Sequence, residues 1–263
     1  MRLDNYVALM YEDISRSRAK SLIETGNVRV NGNVISKPSY VIDENSDVLL
    51  EVVTEAIPYV SRGGLKLQGA LGAFMIDPSN RVCIDIGAST GGFTDCLIKR
   101  GAKKVYAIDS GSDQLAEVLK KDPRVISIEK CNARYLTRET VGEECSLAVA
   151  DLSFISQTLV LPAIFDILGN NGEYVGLIKP QFECGKSALN KNGIVKDKKE
   201  HFHAIKRVIN IAEECGFEST GLTVSPITGG DGNREFLYHA VKVSDPVKSK
   251  ITDEAIKNIV NEI

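Results

Sequence analysis

One run of this chain has the residue types and spacing that cofactor chemistry needs: Val82-Cys83-Ile84-Asp85-Ile86-Gly87-Ala88-Ser89-Thr90-Gly91-Gly92-Phe93-Thr94. It opens as an apolar run with one acid, breaks into a Gly/Ser/Thr turn, and enters a helical pattern through Phe93, Cys96 and Leu97. A buried strand, a glycine turn and a helix N-terminus in series make a cradle for a nucleotide-type cofactor, because the first amides of a helix are unsatisfied donors. A helix-length later, Val105-Tyr106-Ala107-Ile108 ends on Asp109, an acid placed to meet a ribose hydroxyl. Asn132, Asp151 and Lys179 stand at or near the ends of further apolar runs.

The turn narrows the cofactor. No Gly-Lys-Ser/Thr follows it, so it is not a P-loop. Ser89 stands where a dinucleotide fingerprint has its second glycine, the one that lets backbone approach a pyrophosphate. S-adenosylmethionine has no phosphate and suits a looser turn preceded by an acid, here Asp85. Asp109 would then hold ribose hydroxyls and Asn132 the adenine edge. Each also has a plainer role open to it: Asp85 as a strand-end acid bonded to backbone amides, Asn132 as a turn former.

The elements that must position these residues alternate. Strand 82–86, helix 92–100, strand 104–108, helix 113–121, strand 124–129, strand 145–151, helix 156–168 and strand 174–180 follow in order. That alternation predicts a mostly parallel sheet with helices on both faces and a ligand beyond the carboxyl ends of its strands. A Lys-rich stretch, 180–199, lacks periodicity and reads as a loop. A helix near 200–215 and strands near 217–224 and 235–243 complete the unit.

The 263 residues allow one large or two smaller domains. Hydrophobic content of 43% suffices for a packed core, and a net charge of −3 excludes a global polycation but not a local basic face. Six cysteines make no CxxC pair and read as reduced core thiols; three histidines make no metal triad, so no metal is expected. Neither a signal peptide nor a membrane-length apolar run is present, which predicts a cytoplasmic protein with no membrane partner.

The first fifty residues differ from the rest. Leu3, Tyr6, Val7, Leu9 and Met10 recur at helical spacing, Ser15 caps a second helix, Gly26 ends it, and strands flank Asn31-Gly32 as in a tight hairpin. A further strand is expected over 47–52. Charge is segregated: Arg16, Arg18, Lys20, Arg29 and Lys37 lie between Ile14 and Val41 against Glu24 alone. Arg16 and Lys20 share a helix face, and with Arg29 and Lys37 they make one phosphate-binding surface or merely a solvated face.

This segment resembles the S4 RNA-binding fold, through Arg2-Leu3-Asp4, Ser15-Arg16-Ser17-Arg18-Ala19-Lys20, Gly26-Asn27-Val28-Arg29-Val30-Asn31-Gly32 and Lys37-Pro38-Ser39. The resemblance implies RNA contacts from Arg2, Arg16, Arg18, Lys20, Arg29 and Lys37. The runs Asp85 to Thr94, Asp151-Leu-Ser-Phe-Ile-Ser, Leu177-Ile-Lys-Pro-Gln-Phe-Glu and Gly232-Asn-Arg-Glu-Phe resemble the FtsJ-like RNA ribose 2′-O-methyltransferases. With Ser61-Arg62-Gly-Gly-Leu-Lys66, the chain as a whole resembles the TlyA family of S4-plus-FtsJ proteins, described as rRNA cytidine 2′-O-methyltransferases and historically as haemolysins.

That resemblance implies a Rossmann-like α/β methyltransferase fold with a small N-terminal α+β domain. Its boundaries are an S4-like domain 1–52, a linker 53–60, a methyltransferase domain 61–244 and a tail or helix 245–263. The implied cofactor is S-adenosylmethionine, held by Asp85, Gly87, Ser89, Thr90, Gly91, Gly92, Phe93, Asp109, Asn132 and Asp151. The implied partner is ribosomal RNA or a ribosomal subunit, with Arg62 joining the RNA contacts. The family's Lys-Asp-Lys-Glu tetrad maps onto Lys66, Asp151, Lys179 and Glu235. By the same resemblance Lys179 is the general base, Lys66 lowers its pKa and positions the target, and the two acids orient the lysines. A lysine accepts the 2′-hydroxyl proton only if a second cation and partial burial bring its pKa towards neutrality. The competing expectations are a non-catalytic RNA-binding or assembly factor, a membrane-lytic protein, and, more remotely, a dehydrogenase.

Overall fold

The structure is a computed structural model that describes residues 1–11, 14–43, 46, 48–53, 58–229, 232–244 and 249–262. At the N-terminus, helices α1 (Leu3–Met10) and α2 (Arg16–Glu24) accompany a three-stranded sheet of β1 (Val28–Val30), β2 (Asn33–Val34) and β3 (Leu50–Val52), in the order β2-β1-β3. Ser15 caps α2 by accepting the Arg18 amide. Gly26, at φ 75°, lets the chain leave that helix. Asn31 and Gly32, at φ 51° and 77°, close the hairpin in the left-handed conformation whose twist matches its strands. The strand expected from residue 47 begins at Leu50; Asp47 itself lies outside the described residues.

The larger unit is a seven-stranded sheet. Its strands are β4 (Val82–Ile86), β5 (Lys104–Ile108), β6 (Val125–Ile128), β7 (Cys145–Ala150), β8 (Leu168–Ile178), β9 (Phe217–Val224) and β10 (Phe236–Lys242). The order is β6-β5-β4-β7-β8-β10-β9, parallel except that β10 runs antiparallel to both β8 and β9. Strand order reverses at β4, so the crevice beyond β4 and β7 is the switch point where such sheets bind ligands.

Period-two alternation sorts the core onto the two faces. Ile84, Ile86, Ala148 and Ala150 join one apolar cluster, with α6 (Arg138–Val141), α7 (Leu161–Ile167), α9 (Lys198–Glu214) and α10 (Asp253–Asn261). Cys83, Leu147 and Val149 join another, with α3 (Gly63–Ala73) and α4 (Gly92–Lys99). This second cluster continues into the N-terminal unit through Leu3, Val7, Leu22 and Val28, so the two units share packed apolar surface.

Four expected stretches differ. The helix over 113–121 shortens to α5 (Glu117–Lys120), because Asp113 sits at φ 55° and Ala116 is extended, and the freed loop carries Gln114 to the cofactor turn. The helix over 156–168 splits into a 3₁₀ turn, Gln157–Leu159, and α7, with Pro162 in the first turn of α7, where its missing N–H costs no bond. Leu168 already belongs to β8, which starts earlier than the apolar run at Tyr174. The stretch 180–199 is ordered as α8 (Pro180–Glu183), a 3₁₀ turn at Lys186–Ala188 and a Leu189–Val195 bridge, before Asp197 caps α9. Such short pieces are too brief to show a period. The last residues form α10, which buries Ile256 and Val260; residues 245–248 lie outside the described residues.

Among the described residues no helix is long and apolar enough to cross a membrane, and no cluster of His, Cys, Asp and Glu could hold a metal ion. All six cysteines are unpaired.

Candidate active site

The site starts at the end of β4. Asp85 is fully buried, and its Oδ2 accepts bonds from the Thr94 amide at 2.9 Å and the Thr94 hydroxyl at 2.6 Å. One carboxylate thus ties the strand end to the first turn of α4, where a helix favours an anion. Burial nonetheless pushes the Asp85 pKa up to about 7, the Thr94 bonds opposing it and the charges of Asp151 and Asp109 adding to it. Among the described residues its Oδ1 has no hydrogen-bond partner.

Two positions of the turn admit little beyond glycine. Gly91 sits at φ 93°, and a Cβ there would overlap Leu119 Cδ1. A Cβ on Gly92 would overlap Ser61 Oγ and lie 2.9 Å from the Gly64 amide nitrogen. The turn is pressed between α5 and the start of α3, leaving its outer side to a ligand.

Asp109 then organises the cofactor side. It accepts the Ser89 amide at Oδ2 and the Gly111 amide at Oδ1, each at 2.7 Å. The Ser89 hydroxyl donates to Gln114 Oε1 at 3.2 Å. Beyond Asp109 opens a cavity of about 580 Å³, walled by Ile108, Leu152 and Ile155, with Asn132 on its rim. Its size, apolar walls and facing carboxylate fit an adenosine moiety. Asn132 Oδ1 accepts the Arg134 amide at 3.0 Å, so it acts as a turn former while lining the cavity.

A second lobe of about 190 Å³ adjoins the first, and Gly87, Ser89, Asp151 and Ser153 line both. At this junction four side chains from distant elements form a line of alternating charge. Glu235, just before β10, accepts a bond from Lys66 of α3 at 2.6 Å. Lys66 Nζ lies 3.8 Å from Asp151 Oδ2, just after β7. Lys179, just after β8, places its Nζ 2.7 Å from Asp151 Oδ1 and donates to Ser153 Oγ at 3.0 Å. Lys66, Lys179 and Glu235 are buried. Burial opposes the charged form of Asp151, but the ammonium groups of Lys66 and Lys179 outweigh it and hold the carboxyl below its ordinary range. Buried charges persist in such a line because each is matched by its neighbours.

The expected site residues therefore divide. Gly87, Ser89, Asp109, Asn132 and Asp151 line the larger lobe. Thr90, Gly92 and Phe93 line the smaller one together with Lys66 and Lys179. Asp85 and Gly91 line neither; they sit behind the turn and shape it. Among the further residues of the lobes are Ser61, Ser153 and Gln114. Ser61 and Ser153 could have been found, since each stands inside a motif already singled out. Gln114 carried no signal, because its place follows from the unwound start of α5. Phe154, 91% exposed at φ 64°, stands beside Phe182 at the mouth, with ring centroids 5.2 Å apart.

The basic residues of the N-terminal unit lie apart from these lobes. Arg2 and Arg16 both bond Asp4, Lys20 lies 3.8 Å from Glu24, and Arg29 and Lys37 are exposed. Arg18 donates to the Tyr59 carbonyl at 3.0 Å. Arg62 is half-buried between the units. Its guanidinium pairs with Glu24 at 3.1 Å and bonds the Thr228 carbonyl, while its amide donates to Ser21 Oγ. The expected RNA contact is thus held in an interdomain joint that also lines the smaller lobe.

Comparison with known proteins agrees with this anatomy. Residues 59–242 match the model of the FtsJ-like methyltransferases, and residues 1–48 match the S4 domain. Hemolysin A of Brachyspira hyodysenteriae is 45% identical over 242 residues, which cover 92% of this chain and 100% of that protein. The 16S/23S rRNA (cytidine-2'-O)-methyltransferase TlyA of Mycobacterium tuberculosis is 42% identical over 250 residues, 94% of this chain and 92% of that protein. A provisionally named hemolysin from Streptococcus thermophilus has a solved structure that matches with a TM-score of 0.80 at 40% identity, covering 100% of this chain and 94% of that one.

Proposed function

The chain belongs to the FtsJ-like methyltransferase family and carries an S4 domain, and we propose that it methylates the 2′-hydroxyl of a cytidine ribose in ribosomal RNA. The observation that carries this reading is the line Glu235, Lys66, Asp151, Lys179 at the junction of the two lobes. The larger lobe is the place for S-adenosylmethionine, held by Asp109, the Gly87–Gly92 turn and Asn132. When bound, that cofactor supplies an electrophilic methyl carbon.

What remains is to orient a hydroxyl and remove its proton. A ribose hydroxyl entering the smaller lobe meets Lys179 Nζ; the resting ammonium must first release a proton to solvent, and the amine so formed takes the hydroxyl proton. Asp151 fixes that amine at 2.7 Å and Ser153 fixes it from a second side at 3.0 Å, so its lone pair is aimed rather than rotating freely. Lys66, fastened to Glu235, keeps a positive charge near Asp151 and beside the incoming hydroxyl, favouring the developing alkoxide. The S4 domain brings RNA to this mouth through backbone contacts, which suit structured RNA.

The test is methyl transfer from labelled S-adenosylmethionine to intact ribosomal subunits and to free rRNA, followed by mapping of the modified nucleotide. A methylated cytidine ribose is the expected product. Label on a base, or cofactor binding without any transfer, would overturn the proposal, and the second result would leave an RNA-binding factor.

A further inference from the structure

Asp4 is an acid on a surface expected to attract phosphate, and it is 2% exposed. Its Oδ1 accepts Arg2 Nε at 2.9 Å and its Oδ2 accepts Arg2 Nη2 at 3.0 Å, a bidentate fork. Oδ2 also accepts Arg16 Nε at 3.3 Å, and Oδ1 accepts the Asn5 amide at 3.1 Å. Arg2 precedes α1 and Arg16 opens α2, so one buried carboxylate joins the starts of two helices. The arginine side chains stay 46% and 60% exposed. The fork holds Arg2 through Nε and Nη2 and a single longer bond holds Arg16 through Nε, so Nη1 of Arg2 and both terminal nitrogens of Arg16 take no part in the Asp4 contact. The Arg2 bonds hold the Asp4 carboxyl below its ordinary range against the pull of burial, so it stays charged at neutral pH.

We propose that Asp4 is a positioning residue for RNA binding: it holds Arg2 and Arg16 as one rigid pair of guanidinium groups facing the phosphate backbone. This rests on the reading of the S4 face as the RNA-binding face. A free arginine loses side-chain entropy each time it grips a phosphate. Here that ordering is met once, on folding, by a carboxylate too buried to meet the RNA itself. Asp4 lowers the charge of the face by one and gains geometry in return. Attraction by net charge and preorganisation therefore predict opposite signs for its removal.

The experiment measures binding of a fluorescently labelled RNA stem-loop to the full chain at two salt concentrations. Asp4→Asn removes the negative charge at constant shape. Charge alone makes this variant bind more tightly, with a steeper salt dependence. The proposal expects binding several-fold weaker, with S-adenosylmethionine affinity unchanged because the cofactor lobe lies in the other unit. In an Arg2→Ala/Arg16→Ala background, Asp4→Asn is then expected to weaken binding no further. Arg2→Lys supplies an independent arm should Asp4→Asn fold poorly: it keeps the charge but cannot form the fork, and weaker binding is expected. If Arg2→Ala and Arg16→Ala weaken binding while Asp4→Asn tightens it, or while Arg2→Lys binds like the parent, positioning by Asp4 is overturned alone. If neither arginine variant changes RNA affinity, the RNA-face reading falls and takes the proposal with it.

Discussion

Lys179 and Asp151 stand 2.7 Å apart, Nζ to Oδ1, at the carboxyl ends of neighbouring parallel strands. Neither is positioned by its own loop. β7 and β8 pair from Leu147 with Glu173 to Ala150 with Gly176, so the two strands end side by side; Lys179 stands two residues beyond the point opposite Asp151, and its long side chain spans the difference. The contact that defines the proposed base is therefore a product of sheet register. Each charge is the other's main compensation for leaving water.

Replacing Lys179 by alanine should lower methyl transfer by roughly 10²–10⁴-fold, the range of a positioned general base. Cofactor affinity should change little, because the adenosine lobe is walled by other residues. Single-turnover transfer and a calorimetric titration with S-adenosylmethionine check the two halves. A variant that methylates as fast as the parent removes Lys179 from the mechanism.

Asp151→Asn should leave two ammonium groups sharing one neutral amide. A loss of about 3 kcal/mol in unfolding free energy is expected, as when one member of a buried ion pair is removed. The folded carboxyl titrates below its ordinary 3.8. Its stabilisation is therefore complete above that value and is lost as pH falls through the lower folded pKa. Urea unfolding of parent and variant between neutral and acidic pH should show the two curves converging at the acid end.

Asp85→Asn should act in the opposite sense. The unfolded carboxyl titrates near 3.8 and the folded one at about 7. The folded state thus binds the proton more tightly, and stability is greatest below the unfolded value and falls as pH rises through the window up to about 7. Asparagine keeps an acceptor for Thr94 and removes that slope. The variant should gain on the parent by on the order of a few kcal/mol at alkaline pH. Stability curves that run parallel from pH 4 to 8 would count against the buried acid.

Gly92→Ala should damage the turn without touching the charged line. Its Cβ would meet Ser61 Oγ and the Gly64 backbone, so the start of α3 must move. Expected are a destabilisation of about 1–3 kcal/mol from overpacking and a weaker S-adenosylmethionine titration. Thermal unfolding with and without cofactor separates the two. Normal cofactor affinity in a destabilised variant would confine Gly92 to packing.

Much of the site was legible in one dimension. Asp85 to Thr94 reads as strand, turn and helix start because glycine, apolar period and cap chemistry are local properties. Asn31-Gly32 announced its hairpin for the same reason. The four tetrad residues could be named only through family resemblance, since no spacing rule links a helix start at 66 with strand ends at 151 and 179 and a strand start at 235. Gln114 escaped notice because whether residues 113–116 coil or unwind depends on what the Ser89 turn needs from them.

Local chemistry thus settled which elements form, where they break, and that a nucleotide-type cradle opens this α/β unit. Roles within the cradle came from packing. Asp85, which looked like a ligand residue, lies behind the turn because its side chain projects towards α4, where Thr94 waits. Arg62, which looked like an RNA contact, is held between Glu24 and Thr228 because two units close on it. A side chain's type limits what it can do, but its exposure and partners depend on segments far away in the chain. Those segments meet only when the sheet and the shared apolar core have formed.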